Sequence, residues 1–515
     1  MQDKSLTNTI FRGTIVILAV SIIAKFASFI SEAVMAAYLG TTVQSDAFYM
    51  VSGIQQVLYP MLSVGIWKVF LPLYKEKIAK KEEDQANNLA NKVITIFTLI
   101  SIIFAFVIFV FSDIVVAVIA PGFTGDTKSI CSQLVRISAP LYIFILVSAI
   151  YASMLQAHNK FFGSKVREVI SHIPSIVAAI FFYHRFGIEA MAISLVVASL
   201  LRFLIELPFV DWGYRYKPDL KLKDQNLAIM GKRLPAAFLS EGVVQINTLV
   251  DKTMASSLST GAISSLNYGS KLMNVVSGLL SSAIATALFP QMVELIALNK
   301  REELNRLMTK ILNIFAVLMI PASLACLLFS KPLVTAVFQR GAFTADSTSQ
   351  TAAIFAGYCV GLFFIACNSI LSNVFFGHGD TRTPLIASTV NLGANVVGNI
   401  VFIGLWGAPG LALSTSTSAI VAFTIRMILA RKYITIDAKN FMSVIMRVVP
   451  ASAVCCGIPT IICYLIHTNV YLELILAAVL GIAIYFIMLK LFKVKEMDFL
   501  ISLFSEKIGK LKKKF

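Results

Sequence analysis

Lys25, Lys252 and Lys271 stand with Glu32, Asp46, Glu241 and Asp251 inside or at the mouths of long apolar runs. An ionisable side chain at mid-bilayer costs at least ~2.5–3.5 kcal/mol on insertion scales, so each of these needs a reason. Lys25 and Glu32 are seven residues apart and share one helix face, with Ser28 between them. Glu241 and Lys252, eleven apart, share another, and Asp251 sits about 100° around from Lys252. Asp46 opens the second apolar run and Lys271 falls in the first half of the eighth. Isolated lysines hold a phosphate as point charges, so acid and base on a common interface suggest a polar cavity for a charged cargo. Ion pairs that pin helices together are the structural alternative. Lys68, Arg202, Glu206 and Arg447 lie near run ends, where their heads reach water, and Arg136 reads as interfacial.

The elements that must position these groups are membrane helices. Of 515 residues, 57% are hydrophobic and 14% charged, and the mean hydropathy is +0.81. Soluble proteins are nearer ~45–50% apolar and ~25% charged. Apolar spans fall at 14–38, 46–73, 93–118, 132–154, 168–183, 188–209, 235–256, 263–290, 308–328, 350–376, 385–405, 410–429, 441–466 and 472–492. The expected fold is therefore an all-α polytopic membrane protein of about fourteen transmembrane helices. The net charge of +17 does not point to nucleic acid, because the charges sit in short gaps between spans. Alternate gaps hold 33 of the 44 lysines and arginines, and the opposite gaps hold 4. The positive-inside rule then puts both termini in the cytoplasm.

The gaps also exclude functions. No P-loop, Rossmann fingerprint, HExxH or GxSxG occurs, and the longest external loop, 329–349, offers only Arg340 and Asp346 for glycan chemistry. ATP drive would have to come from another chain. The first span is too long and lacks the small-residue site of a cleaved signal peptide. Six of the seven cysteines fall within spans and Cys131 borders one, which suits buried packing rather than disulfides; the five histidines are scattered without metal-ligand spacing. The tail 493–515 is basic and amphipathic, suited to an anionic inner leaflet, and the charges of 75–92 suit a solvated helix.

Offsetting the chain by 219 aligns 32–70 with 251–289. Met35 meets Met254, Ala36 Ala255, Leu39 Leu258, Thr41 Thr260, Tyr49 Tyr268, Ser63 Ser282 and Phe70 Phe289, while Glu32 meets Asp251. Spans one and two thus resemble seven and eight. The six-span interval keeps both copies in the same orientation, a parallel repeat whose interface is where transporters place substrate. The expectation is two six-helix lobes plus two C-terminal helices, with 1–210 and 235–430 as lobes, 211–234 as a cytoplasmic linker, and 431–492 as helices thirteen and fourteen. Span twelve is rich in small residues over 411–420, and Asn391, Asn395 and Asn399 form a stripe on span eleven. Small residues permit close helix contact; the stripe would also suit a sodium ion or a saccharide.

Several segments are similar to the MurJ/MviN family. They are Gln245–Lys252, Ala255-Ser, Gly261–Tyr268, Lys271-Leu and Phe289-Pro290 around helices seven and eight, Ser45-Asp-Ala-Phe48, Ala120-Pro-Gly-Phe123 and Phe338–Thr344. Their order and spacing run across nearly the whole chain. The resemblance implies the multidrug/oligosaccharidyl-lipid/polysaccharide exporter superfamily, fourteen helices in two lobes, and a lipid-tail groove on the last two helices. It implies a flippase, not an enzyme, that moves undecaprenyl-pyrophosphate-linked lipid II to the outer leaflet of the bacterial cytoplasmic membrane by alternating access. The sequence departs from the family where helix one usually reads Arg, Gly, Phe, then Arg-Asp or Arg-Glu: here Lys25, Ser28, Phe29, Ser31 and Glu32 stand. Gln55-Gln56 precede Tyr59-Pro60 where Pro-Asn is common, and the usual arginine of helix eight is Lys271. Cationic forks have become point charges, so a different undecaprenyl-linked polysaccharide unit is the alternative cargo; a multidrug antiporter or a glycan-processing enzyme fits the lysines and the short loops less well.

On that resemblance, Lys25, Lys252 and Lys271 attract the pyrophosphate, and Glu32, Asp46 and Asp251 orient them. Ser28, Ser31, Gln55, Gln56, Tyr59 and Asn267 contact sugar or phosphate oxygens. No cofactor is expected beyond membrane potential or a sodium ion at Asp251, Asn391 and Asn395. The implied partners are the lipid-linked glycan, the bilayer and the cell-wall synthesis machinery, with the protein acting as a monomer.

Overall fold

Hydrocarbon offers the backbone no water to bond, so each apolar run must close its hydrogen bonds within a helix. The computed structural model describes residue 20 and residues 23–221, 223–466, 469–494 and 496; the side chains of 161, 164, 165, 240, 243, 244, 279, 280, 282–287, 289 and 290 are outside that description. The start of the first expected span and nearly all of the basic tail therefore lie outside the described residues. Among the described residues the ordered elements are helices, without a strand. Nine helices are long and apolar enough to cross a membrane, and two bent pairs, at 42° and 48°, raise the number to eleven. These eleven coincide with expected spans two to six and nine to fourteen. The remaining three expected spans are also helical: one at 23–39, seven inside Gln225–Ala255 and eight inside Ala262–Ala297.

By contact the chain forms two compact units, one of the described residues up to Ser264 with Arg340–Thr344, the other of Ser265–Gln339 with those from Ala345 onward. The first unit begins with α1 (23–39), which stops at Gly40 in the left-handed conformation, φ +57°. Then come α2 (Val43–Ala79), α3 (Glu83–Val110), α4 (Ser112–Ile119), α5 (Gly125–Ser138) and α6 (Leu141–Ala157). α7 (Phe161–Ile170), α8 (Ile173–Val177), a π-helical turn at Ala178–Phe182 and α9 (Tyr183–Phe186) together make one span, followed by α10 (Ile188–Leu204) and α11 (Gln225–Ala255). Thr42 starts α2 with a capping box: its hydroxyl accepts from Ser45 N at 3.2 Å, and Ser45 Oγ accepts from Thr42 N at 2.7 Å. Phe70, Tyr74, Leu89, Val93, Ile150, Met154 and Met230 form an apolar core near one end of α2, α3, α6 and α11.

The expected linker 211–234 is shorter than the sequence suggests. Residues 214–219 are strapped along α3, where Asn91 Oδ1 accepts from Tyr214 Oη at 2.8 Å and from Lys217 N at 3.1 Å. α11 then begins at Gln225, with Asp224 as its N-cap. Burial pushes the Asp224 carboxyl up, but the Lys92 ammonium at 2.6 Å and the Asn226 N–H outweigh it and hold the group below the usual carboxylate range. The polar stretch 225–234 is helical because α11 runs on beyond its apolar part.

The second unit holds α12 (Ala262–Ala297) beyond its first turn, α13 (Arg301–Leu328), α14 (Ser330–Phe338), α15 (Ala345–Val360), α16 (Leu362–Gly377), α17 (Arg382–Trp406), α18 (Ala408–Ala430), α19 (Ala438–Ile466) and α20 (Val470–Leu491). Its core gathers Met292, Met308, Ile311, Phe315, Ile370, Leu371 and Phe375. The small residues of 411–420 do bring helices together. Ser414 Oγ donates to Asn395 O of α17 at 2.7 Å, and Ser416 Oγ donates to Gly357 O of α15 at 2.7 Å. All seven cysteines are free thiols in buried positions.

Candidate functional site

Within the first unit a cleft of about 420 Å³ opens between α1, α2, α10 and the α7–α8 junction. Lys25 and Ser28 reach it from α1, Tyr59 from α2, Glu168, Ser171 and His172 from the end of α7, and Arg202 from α10. Three of the sequence candidates, Lys25, Ser28 and Tyr59, are thus brought together. Arg202, Glu168, Ser171 and His172 are additions that sequence reasoning missed. Arg202 sits near the end of its span and reads there as a snorkelling residue; in the structure its Cζ lies 4.6 Å from the Tyr59 ring centroid. A guanidinium stacked on an aromatic face keeps its N–H fork available for a bidentate anion. The cleft therefore holds a point charge from Lys25 and a fork from Arg202, with hydroxyls at Ser28, Tyr59 and Ser171. That combination suits a phosphate bearing hydroxylated groups.

Elsewhere in the first unit the structure uses charge for assembly. Asp46 is 4% exposed, and its carboxylate accepts from Gly261 N at 2.6 Å, Ser264 N at 2.8 Å and Ser264 Oγ at 2.8 Å. These donors sit at the first turn of α12, so Asp46 acts as an N-terminal cap supplied from α2. Lys252 is 3% exposed and donates to Tyr49 O at 3.0 Å. Gly53 leaves room for it, since a methyl there would come within 3.0 Å of Lys252 Cδ. Glu32, Ser31 and Asp251 are buried as well, Ser31 beside the Met35 sulfur; Gln55 is half-buried and Gln56 exposed. Glu241 shares a helix with Lys252 but forms its ion pair with Lys68 of α2, so Lys68 does more than reach for water.

Glu206 departs further from the snorkelling expectation. It is fully buried, with Arg167 Nη1 at 2.8 Å on one oxygen and Ser148 Oγ at 3.0 Å on the other. The physical reason is that Arg167 reaches it from α7 and satisfies the charge, which no spacing in the sequence connects. Two motifs also gain a cause. Gly122 donates its N–H to Ser256 Oγ at 3.1 Å, and a methyl at Gly122 would lie 2.5 Å from the Ser256 carbonyl carbon. Ala342 N donates to Ala37 O at 2.7 Å, and a methyl at Gly341, φ +59°, would lie 2.2 Å from that same oxygen.

In the second unit, Asn267 is buried and Lys271 half-buried, one turn apart on α12. Two asparagines of the stripe are engaged, Asn399 Nδ2 donating to Asn395 Oδ1 at 3.1 Å and Asn395 Nδ2 to Thr415 Oγ1 at 3.2 Å, while Asn391 Oδ1 is buried without a hydrogen-bond partner. Among the described residues no three His, Cys, Asp or Glu side chains cluster as metal ligands.

Fold and site together define a multi-pass α-helical membrane protein with a cationic, hydroxyl-lined cleft. The fold is shared with solved transporters: an inward-facing multidrug resistance MATE family transporter of the MOP superfamily aligns over 81% of this chain and 97% of its own, at TM-score 0.66 and 12% identity. A lipid II flippase MurJ in an inward closed conformation aligns over 93% of this chain and 98% of its own, at TM-score 0.81 and 24% identity. The model of the family described as lipid II flippase MurJ matches residues 35–488, and the chain belongs to that family. Similar relatives include probable lipid II flippases MurJ of Thermotoga maritima, 24% identical over 92% of this chain and 95% of the relative, and of Rickettsia prowazekii, 26% identical over 80% and 82%.

Proposed function

We propose that this protein moves lipid II, an undecaprenyl-pyrophosphate-linked saccharide, from the inner to the outer leaflet of the bacterial cytoplasmic membrane by alternating access. The observation that carries the reading is the family match over 35–488 in a chain whose α1 lysine and α10 arginine line one cleft. Lys25 and Arg202 take the pyrophosphate, the first as a point charge and the second as a fork. Ser28, Tyr59 and Ser171 bond to sugar or phosphate oxygens, and Glu168 and His172 complete the polar wall. In the second unit, Lys271 and Asn267 place a charge and an amide one turn apart on α12. Within the first unit, buried Glu32, Asp251 and Lys252 add fixed charges. Both termini face the cytoplasm, as the distribution of lysine and arginine supports. Membrane potential supplies drive on whatever net charge moves, at ~2.3 kcal/mol per charge per 100 mV.

The test is a leaflet-exposure assay in liposomes holding the purified protein, with lipid II and a peptide-free undecaprenyl-pyrophosphate oligosaccharide supplied in parallel. Exposure of lipid II under an imposed potential supports the reading. Exposure of the peptide-free glycan alone would replace lipid II with another lipid-linked polysaccharide unit, in keeping with Lys25 and Ser31 standing where the family usually has arginine.

A further inference from the structure

A second polar cleft, of about 440 Å³, lies in the second unit at the N-terminal ends of α13 and α19. That volume is within the ~300–1,000 Å³ of small-ligand sites. Asn305, Thr309 and Asn313 follow one another at four-residue spacing and line it as a stripe on α13. The first two anchor its far wall: Asn305 Oδ1 accepts from Thr435 N at 2.7 Å and Thr309 Oγ1 from Asp437 N at 3.2 Å. Asn313 lies deepest, at 1% exposure. Its Nδ2 donates to Glu496 Oε1 at 2.7 Å, while its Oδ1 is buried without a hydrogen-bond partner. A buried acceptor left without a donor is costly, so the position calls for a donor from outside the protein.

We propose that this cleft binds the head group of an aminophospholipid, a phosphodiester carrying a primary ammonium. Arg306 and Lys310 stand exposed at the rim, one turn apart, and take the phosphodiester. Asp437, Glu496 and the Asn313 carbonyl line the same cleft, Glu496 within the field of Lys310, and take the ammonium, which brings the missing donor. Two cations and two carboxylates lining one cleft match a zwitterion; inorganic phosphate would meet both carboxylates with no charge to offer them. The rim continues into Met442, Met446 and Val449, an exposed apolar stripe down α19 on which acyl chains would lie. The site shares no residue with the α1–α2–α10 cleft.

The full-length protein, delipidated in detergent, would be titrated with short-chain phosphatidylethanolamine, phosphatidylcholine and inorganic phosphate, with retained lipid counted by native mass spectrometry. Wild type is expected to retain phosphatidylethanolamine at least tenfold more tightly than phosphatidylcholine, whose trimethylated head has no N–H to give Asn313. The double variant Arg306→Ala/Lys310→Ala is expected to lose that retention tenfold while keeping its unfolding temperature, because both side chains are exposed at the rim. Asn313→Leu is expected to remove the preference between the two lipids. Equal retention of both lipids by wild type, unchanged retention in the double variant, or competition by inorganic phosphate as effective as by lipid would each overturn the proposal.

Discussion

The guanidinium carbon of Arg202 lies 4.6 Å from the centroid of the Tyr59 ring, and both side chains face the cleft that holds Lys25. The ring fixes the plane of the fork, and the lysine adds a charge that needs no fixed plane. Arg202→Lys is therefore a test of geometry at constant charge. Loss of the fork and the stack is expected to lower lipid II exposure in liposomes about tenfold, equivalent to ~1.4 kcal/mol. Arg202→Ala is expected to lower it further, and Tyr59→Phe to preserve the stack and most of the rate.

Asp46 gives a stability prediction rather than a transport one. Its carboxylate accepts three hydrogen bonds at the first turn of α12. Asp46→Ala leaves those donors buried and is expected to destabilise the protein by about 1–3 kcal/mol. Asp46→Asn, which keeps one acceptor oxygen, is expected to fall between. Thermal unfolding in detergent measures both.

The all-helical, multi-span fold was legible, with eleven of the fourteen expected spans matched by helices long and apolar enough to cross a membrane, because apolar runs broken by basic gaps leave a lipid-embedded chain few ways to fold. Local accounting also reached Lys25 and Ser28, one turn apart on one face of α1. It could not reach Arg202 or Glu206, because a charge near a span end reads the same whether it leads to water or into a bundle. The difference lies in partners 143 residues away, at Tyr59, and 39 away, at Arg167. Asp46 was visible as a buried carboxylate, but nothing in its spacing showed that it caps a helix beginning at Ala262. The only internal sign was that Arg202 and Glu206 stand at i and i+4, two opposite charges on one face of α10 and the turn after it.

The Arg167–Glu206 pair is expected to be expensive to break singly. Glu206→Gln leaves a buried guanidinium without its counter-charge and is expected to lower stability by about 3–5 kcal/mol. The double replacement Arg167→Met/Glu206→Leu removes both charges and is expected to recover most of that loss. A double-mutant cycle on unfolding temperature separates the coupling from the packing.

The turn between α16 and α17 carries an acid-sensitive contact. Asp380 accepts from Thr383 Oγ1 at 2.6 Å, Thr383 N at 3.0 Å, Tyr433 Oη at 3.0 Å and Arg382 N at 3.1 Å. The Thr383 bonds, helped by Tyr433 and Arg382, hold its carboxyl down at about 2 against an ordinary value of 3.8. Because the folded value is depressed, this contribution is present above pH 3.8 and is lost as pH falls toward 2. The protection of the Arg382 and Thr383 amides, measured as exchange relative to the unstructured rate at the same pH, is expected to fall across that window in the wild type. In Asp380→Asn that protection is expected to be low throughout and unchanged across the window.

Gly122 and Gly341 are expected to tolerate no side chain. A methyl at either meets backbone at 2.5 Å or less, and Gly341 is also in the left-handed region. Gly122→Ala and Gly341→Ala are expected to lower the unfolding temperature by several degrees, whereas Gly393→Ala, with open space around the position, is expected to change it little.

The most direct measurement is the initial rate of lipid II exposure on the outer face of proteoliposomes under an imposed potential. It would compare wild type, Lys25→Ala/Arg202→Ala, and Lys331→Ala as a control outside both clefts. The expected result is a wild-type rate well above protein-free vesicles, an unchanged control, and a double variant reduced at least a hundredfold while folded by size-exclusion chromatography. A double variant that flips lipid II at the wild-type rate would contradict the assignment of the pyrophosphate to this cleft.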